Sequence, residues 1–286
     1  MASLQDIRRR IRSVKSIQQI TNAMNMVANS RLRRAKEAAT RNKPYADKMA
    51  EVVHSVARQA TDVSNPLLEI REEGKVLYVV CSADKGLAGA YSSNVLKAAV
   101  AEIKDKANTE LVTVGRKARD YFKNRDYTIV EEHIGISERP NYEHAKEIAE
   151  GLIKRFASGE VKEVHMVYTR FISTINCEPE TMQLLPFVSA EGEEGAEAGA
   201  SAEYIYEPNA EEVLSYLLPQ YLVTEIYAAL LQAAASELSS RMNAMSNATD
   251  NAEELIKKLD LYYNKVRQAG ITREITEIVG GAEALK

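Results

Sequence analysis

The stretch LSSRMNAMSNATDNAEELIKKLDLYYNKV, residues 238–266, decides the architecture. Leu238, Met242, Met245, Ala248, Ala252, Leu255, Leu259, Tyr262 and Val266 step by 4, 3, 3, 4, 3, 4, 3 and 4. That stripe lies close to the 3.5-residue period of a coiled-coil seam. No Gly or Pro interrupts Gln220 to Ala269, so the pattern predicts one unbroken helix. From about residue 210 to 280 it would run roughly 100 Å at 1.5 Å per residue. A compact domain of this chain length cannot contain such a rod, so the reading predicts that it projects. It then needs a partner to cover its seam.

Working outward, the other end of the chain supplies that partner. Leu4, Ile7, Ile11, Val14, Ile17, Ile20, Met24 and Val27 repeat at spacings of three and four, again without Gly or Pro before Pro44. Pro44 is expected to kink or interrupt this helix, which resumes to about residue 60. Residues 1–43 carry eleven Lys and Arg against Asp6 and Glu37, whereas residues 204–286 carry seven Lys and Arg against twelve Asp and Glu. Opposite charge favours pairing of the two ends, and because both return to the middle of the chain the pairing is expected to be antiparallel.

The middle has a different texture. KVLYVVCS (75–82), ELVTVG (110–115) and residues 127–132 read as β-strands, and segments 163–174 and 180–187 as a closing strand pair. Helical stretches fall between them, near 92–106, 116–124 and 142–157. The alternation predicts a Rossmann-like α/β domain with a mostly parallel sheet. The domain reading is therefore an N-terminal coiled-coil helix over 1–65, a central α/β domain over 66–205 with a mobile acidic loop at 190–202, and a C-terminal coiled-coil helix with its tip over 206–286.

Composition narrows the function. Hydrophobic content of 45% and charged content of 27% are ordinary for a globular chain. No run of about 18 apolar residues is present, so no span of a bilayer is expected. No apolar core of signal-peptide length opens the chain, and a transit peptide is not expected either, which favours a bacterial over a mitochondrial source. Cys81 and Cys177 make no CxxC or Cys/His cluster, and His54, His133, His144 and His165 lack ligand-like spacing. The strand-to-helix turn SADKGLAGAY (82–91) holds two glycines and Lys85, as a phosphate-binding turn would, but fits neither G-x-G-x-x-G nor G-x-x-x-x-G-K-[ST]. No nucleophile stands with a base, so neither catalytic residue, metal site nor cofactor is assigned. Two other functions stay open on the residues: a nucleotide-binding enzyme using the α/β domain, and a nucleic-acid protein using the basic helix.

Beyond the first seam, Ile271, Ile275, Ile278, Val279 and Ala282 form a second stripe near the end of the chain. Its position predicts a greasy tip that outruns the N-terminal helix and sits in a socket on another protein.

The terminal segments resemble the gamma subunit of rotary F-type ATP synthases. The residues concerned are ITNAMNMV (20–27), RRA (33–35), ASE (235–237), RMNAM (241–245), ATDNA (248–252), YNKVRQAGIT (263–272) and EITEIVGGA (274–282). The resemblance covers essentially the whole chain. It departs at Asn22, where the family commonly has Lys, and it lacks the cysteine-bearing regulatory insertion of the chloroplast version.

The resemblance implies a non-catalytic rotor shaft of a proton-translocating ATP synthase, peripheral on the cytoplasmic face of the bacterial cell membrane. It would transmit torque between the membrane c-subunit ring and a hexamer of three alpha and three beta subunits, with the epsilon subunit at its foot. By the same resemblance Arg267 and Gln268 would hold an acidic catch loop of beta, and Arg8, Arg9, Arg31 and Arg33 would make similar contacts. Ile271, Ile275, Ile278 and Val279 would be the bearing tip. Met24, Val27, Met242 and Met245 would pack in the seam, and Tyr204, Tyr206 and Glu207 would meet the c-ring and epsilon. Nucleic acid and membrane insertion are not expected.

Overall fold

The computed structural model describes residues 4–59, 65–187, 207 and 209–283. Helix α1 spans Leu4–Gln59 and α5 spans Ala210–Glu283. Between them come β1 (Lys75–Cys81), α2 (Tyr91–Glu102), β2 (Thr109–Val114), α3 (Arg116–Lys123), β3 (Thr128–His133), α4 (Tyr142–Ala157), β4 (Val161–Phe171) and β5 (Cys177–Leu185). By internal contacts the chain divides into two units, one of residues 1–28 with 241–286 and one of residues 29–240.

In the larger unit the strands lie in the order β3-β2-β1-β4-β5. The first four are parallel, and β5 closes the edge antiparallel to β4. A parallel pair cannot be joined by a tight turn, so each crossover carries a helix over a face of the sheet. The two-residue period of β1 sorts its side chains. Leu77, Val79 and Cys81 join a core with α4 and with the unit's parts of α1 and α5. Tyr78 and Val80 face the opposite way, into a smaller core made with α2 and α3. The closing strand begins at Cys177, three residues before the sequence pattern placed it.

Pro44 neither ends nor interrupts α1. A proline inside a helix removes one backbone hydrogen bond and costs about 3 kcal/mol in isolation. Here the turns that follow are anchored by Ala46, Val53 and Val56, all buried, and that burial outweighs the local defect. Helix α5 likewise carries Pro219 without a break, and starts on Asn209, whose side-chain oxygen accepts the Glu212 N–H at 2.8 Å.

In the smaller unit the two helices pair antiparallel. Thr21 and Thr249 share a hydroxyl–hydroxyl bond of 2.8 Å, and Asn25 Nδ2 donates to the Met242 carbonyl at 3.1 Å. Arg8 Nε donates to the Tyr263 hydroxyl at 2.8 Å, with its guanidinium 5.1 Å from the ring centre. As the α1 number rises the α5 number falls, which is the antiparallel signature.

The seam follows a stricter heptad than the apolar stripe did. Ile7, Ile11, Val14, Thr21 and Ala28 are buried, and Gln18 and Asn25 half-buried, giving steps of four and three throughout. Ile17, Ile20 and Val27, expected inside, are 50%, 59% and 50% exposed. On α5 the buried or half-buried places go to Met245, Thr249, Ala252, Ile256, Leu259, Tyr263 and Val266, while Leu255 and Tyr262 lie 45% and 48% exposed. The cause is geometric. A seam advances by 3.5 residues, so on α1 the three successive steps of three from Ile11 to Ile20 rotate the stripe off the partner. On α5 both sets keep heptad spacing, and the position of the partner helix selects Ile256 and Tyr263 over Leu255 and Tyr262. Polar or small residues hold the seam where the apolar ones have rotated away.

Candidate interaction surfaces

At the carboxyl ends of β1, β2 and β3, the turn 82–91 meets the loops that follow β2 and β3. One Asp84 carboxylate oxygen accepts the Arg116 N–H and the other the Ser137 N–H, each at 3.1 Å. In return the Ser137 hydroxyl oxygen accepts the Asp84 N–H at 3.0 Å. Burial alone would raise the Asp84 pKa, but backbone N–H groups of Gly135, Ser137 and Arg116 outweigh it and hold the carboxyl below its ordinary value. The chain's own carboxylate thus takes the amides that a bound phosphate would use. Gly115 closes this corner at φ +92°, and a Cβ on it would stand 2.1 Å from the Ser82 carbonyl oxygen.

Above the turn, Glu138 pairs with Arg31 of α1 and lies 3.5 Å from Lys85. Arg31 is therefore engaged inside the larger unit. Cys81 is wholly buried, which pushes its thiol up to about 12 and leaves it no thiolate at neutral pH. Among the described residues no group of three His, Cys, Asp or Glu side chains could hold a metal ion. Nor is any described helix long and apolar enough to cross a membrane.

The other residues singled out by sequence fall into separate places. Arg9 pairs with Asp6 at 2.8 Å and Arg33 stands 4.0 Å from Glu37, both pairs at the surface. Such exposed pairs are worth at most about 1 kcal/mol and separate readily for a partner. Arg267 and Gln268 are exposed neighbours on α5, and the Arg267 guanidinium has no ion pair or hydrogen bond among the described residues. Met245 is buried, Met24 and Met242 are half-buried, and Val27 faces solvent with Ala28 in its place.

Every residue from 271 to 282 is exposed, among them Ile271 at 49%, Ile275 at 56%, Ile278 at 71% and Val279 at 61%. Four large aliphatic residues uncovered on one helix form a patch that isolated surface leucines do not. Glu207 is exposed, and Tyr204 and Tyr206 lie outside the described residues.

Sequence reasoning missed Thr21, Asn25 and Thr249, the polar members of the seam, and the Arg8–Tyr263 contact. Continuing the 7-11-14 heptad strictly, rather than following the next apolar residue, would have reached 21, 25 and 28. It missed Asp84 because an acidic residue in a glycine-bearing turn gives no sign of which amides it will meet.

An antiparallel coiled coil carried by the two ends of a chain whose middle is a Rossmann-like sheet is the fold that these observations define. A family model described as ATP synthase matches residues 3–285. The ATP synthase gamma chain of Desulforamulus reducens is 47% identical over 100% of both chains, and that of Pelotomaculum thermopropionicum 45% identical, also over 100% of both. A gamma chain of Acetobacterium woodii named as sodium ion specific is 43% identical over 99% of each. In fold, the chain is similar to one in the Euglena gracilis mitochondrial ATP synthase, with a TM-score of 0.69, 18% identity, and 99% of this chain and 94% of that one covered. A chain of the Tetrahymena thermophila central stalk gives 0.60 at 24% identity, covering 80% and 99%. The chain belongs to the family of ATP synthase gamma chains.

Proposed function

We propose that this chain is the central rotor shaft of an ATP synthase and has no catalytic site of its own. It would carry torque between an ion-driven c-subunit ring and a catalytic hexamer of alpha and beta subunits, in either direction. The observation that carries the reading is the antiparallel pairing of α1 and α5, locked by Thr21 with Thr249 and Asn25 with Met242, in a chain of this family. Torque needs a stiff, slim member and no bond chemistry. Two helices sealed along a heptad seam resist twisting in a way that one helix does not. The phosphate-like corner filled by Asp84 fits a sheet that does not bind nucleotide.

Within that reading Arg267 and Gln268 meet an acidic loop of beta, because an unpaired exposed Arg can give a carboxylate two parallel N–H bonds. Arg8, Arg9, Arg31 and Arg33 offer further charge to the same partners, Arg31 only by sharing with Glu138. The patch of Ile271, Ile275, Ile278 and Val279 turns in an apolar collar formed by the hexamer. Glu207, with Tyr204 and Tyr206, is assigned to the epsilon and c-ring side. The chain then sits peripherally at the cytoplasmic face of a bacterial membrane. In this reading the coupling ion is selected by the ring and not by this chain.

Purification with alpha and beta subunits tests the reading. The expected product contains three alpha, three beta and one copy of this chain, with ATPase activity dependent on it. Saturable ATP or nicotinamide binding by the isolated chain, with no capture of those subunits, would refute it.

A further inference from the structure

In an open doubly wound sheet a ligand crevice lies beyond the carboxyl ends of the strands, where the strand order reverses. Here the order reverses between β1 and β4. That crevice is filled by α5. Strand β4 pairs with β1 only as far as Val167 and continues to Phe171, so its last turns project past their neighbour with one edge open. The groups on that edge need partners.

Three side chains of α5 supply them at helical spacing. Gln232 Oε1 accepts the Phe171 N–H at 3.1 Å, the Ser236 hydroxyl donates to the Thr169 carbonyl at 3.0 Å, and the Ser239 hydroxyl donates to the Thr174 carbonyl at 2.6 Å. Positions 232, 236 and 239 lie on one face of the helix, stepping along the strand end and into the β4–β5 turn. Ser236 and Ser239 are wholly buried, as is Glu237 between them, and Tyr91 at the start of α2 is 4% exposed. Burial pushes the Tyr91 phenol well above its ordinary value, with the Glu237 carboxylate adding to it.

We infer that residues 232–239 of α5 are the weld through which torque passes between the shaft and the sheet, with Gln232, Ser236 and Ser239 as the positioning residues. This rests on the rotor reading. An apolar contact is non-directional and lets a helix slide or roll at modest cost, since one greasy neighbour replaces another. A hydrogen bond to a fixed strand carbonyl does not, because movement leaves a buried acceptor unsatisfied. Three bonds, two to the end of β4 at Thr169 and Phe171 and one to Thr174 in the turn beyond it, oppose both translation and rotation of α5. Ala233, Ala234 and Ala235, which fall around the helix between Gln232 and Ser236, are small and buried, and this allows the close approach that the bonds require.

The test uses the whole synthase in proteoliposomes, measuring ions pumped per ATP hydrolysed against an opposing gradient of increasing size. The unmodified complex must pump first; if it does not, the rotor reading fails and the weld is not what is at fault. Ser236→Ala with Ser239→Ala should leave ATP hydrolysis in place and lose pumping as the gradient steepens, because the shaft slips. A ratio equal to that of the unmodified complex at every gradient would overturn the inference. Leu111→Ala, a wholly buried change in β2 within the core that contains no residue of α5, separates slippage from general loosening. If it slips as readily, the weld is no more than packing and the inference falls. Should the double variant fail to assemble, Gln232→Ala takes its place with the same two outcomes.

Discussion

Two carboxylates of the larger unit titrate in opposite senses, and each makes a prediction at the level of one residue. Asp84 is held below its ordinary pKa by three backbone N–H groups, so its ionised form stabilises the fold. That stability is complete above the pKa of the unfolded chain and is lost as pH falls through the lower folded value. Asp84→Asn should therefore unfold more easily at pH 7, by about 1–3 kcal/mol for the weakened amide contacts. In an acid titration followed by circular dichroism its deficit should shrink. Glu225 behaves in reverse. Burial raises its pKa, and Asp47 adds to the effect from α1 across a cavity of about 240 Å³ that Lys43 and Tyr168 also line. Protonated Glu225 favours folding, a contribution complete below the unfolded pKa and lost as pH rises through the folded one. Glu225→Gln should raise the melting temperature at pH 7, with the advantage fading towards pH 4. A variant less stable than the parent at pH 7 would show that Glu225 holds a partner that matters more than its charge.

At the scale of elements, the seam makes the sharper claim. Val14 is 8% exposed and packs with Ala252 and Ile256, whereas Val27 is 50% exposed. Val14→Ser should cost about 2 kcal/mol in denaturant unfolding, the transfer of one buried aliphatic side chain. Val27→Ser should stay within about 0.5 kcal/mol, as surface changes do. Equal losses would restore the apolar stripe as the true seam. How much of the fold the sequence carries follows from the same comparison. Helix α4 has the bounds that the pattern gave, because its amphipathic run starts on the Asn141 cap and stops at Gly159. The first three strands were within two residues. What the pattern could not supply was rotation. Apolar spacing shows that a helix has a buried face, but Thr21, Asn25 and Thr249 are inside for reasons of pairing geometry that only the partner reveals. The interruption that Pro44 offered does not occur, because local propensity knows nothing of the core that Val53 and Val56 anchor. The patch from Ile271 to Val279 was legible, since an uncovered stripe needs only its own period to be seen. Nothing in the sequence singles out Tyr91 or Ser236, because their burial is a property of topology.

For the whole molecule, each unit has its own logic, and the proposed function asks both to act on partners. The paired helices present Arg267 and the aliphatic patch, and the sheet unit presents the corner built around Asp84. Arg267→Ala removes an exposed side chain with no partner among the described residues, so thermal stability of the free chain should not change. In the reconstituted synthase the same change should lower ATP synthesis by about tenfold or more, the loss expected when a charged contact at an interface is truncated. Wild-type synthesis would remove Arg267 from the catch.

The measurement closest to the central claim is direct observation of turning. Ile70→Cys, at a site 79% exposed, with Cys177→Ser, gives a single accessible thiol for a visible probe, Cys81 being buried. With the alpha and beta subunits fixed to a surface and ATP supplied, the probe should rotate in one direction and stop when ATP is exhausted. A probe that stays still while the same particles hydrolyse ATP would contradict the account.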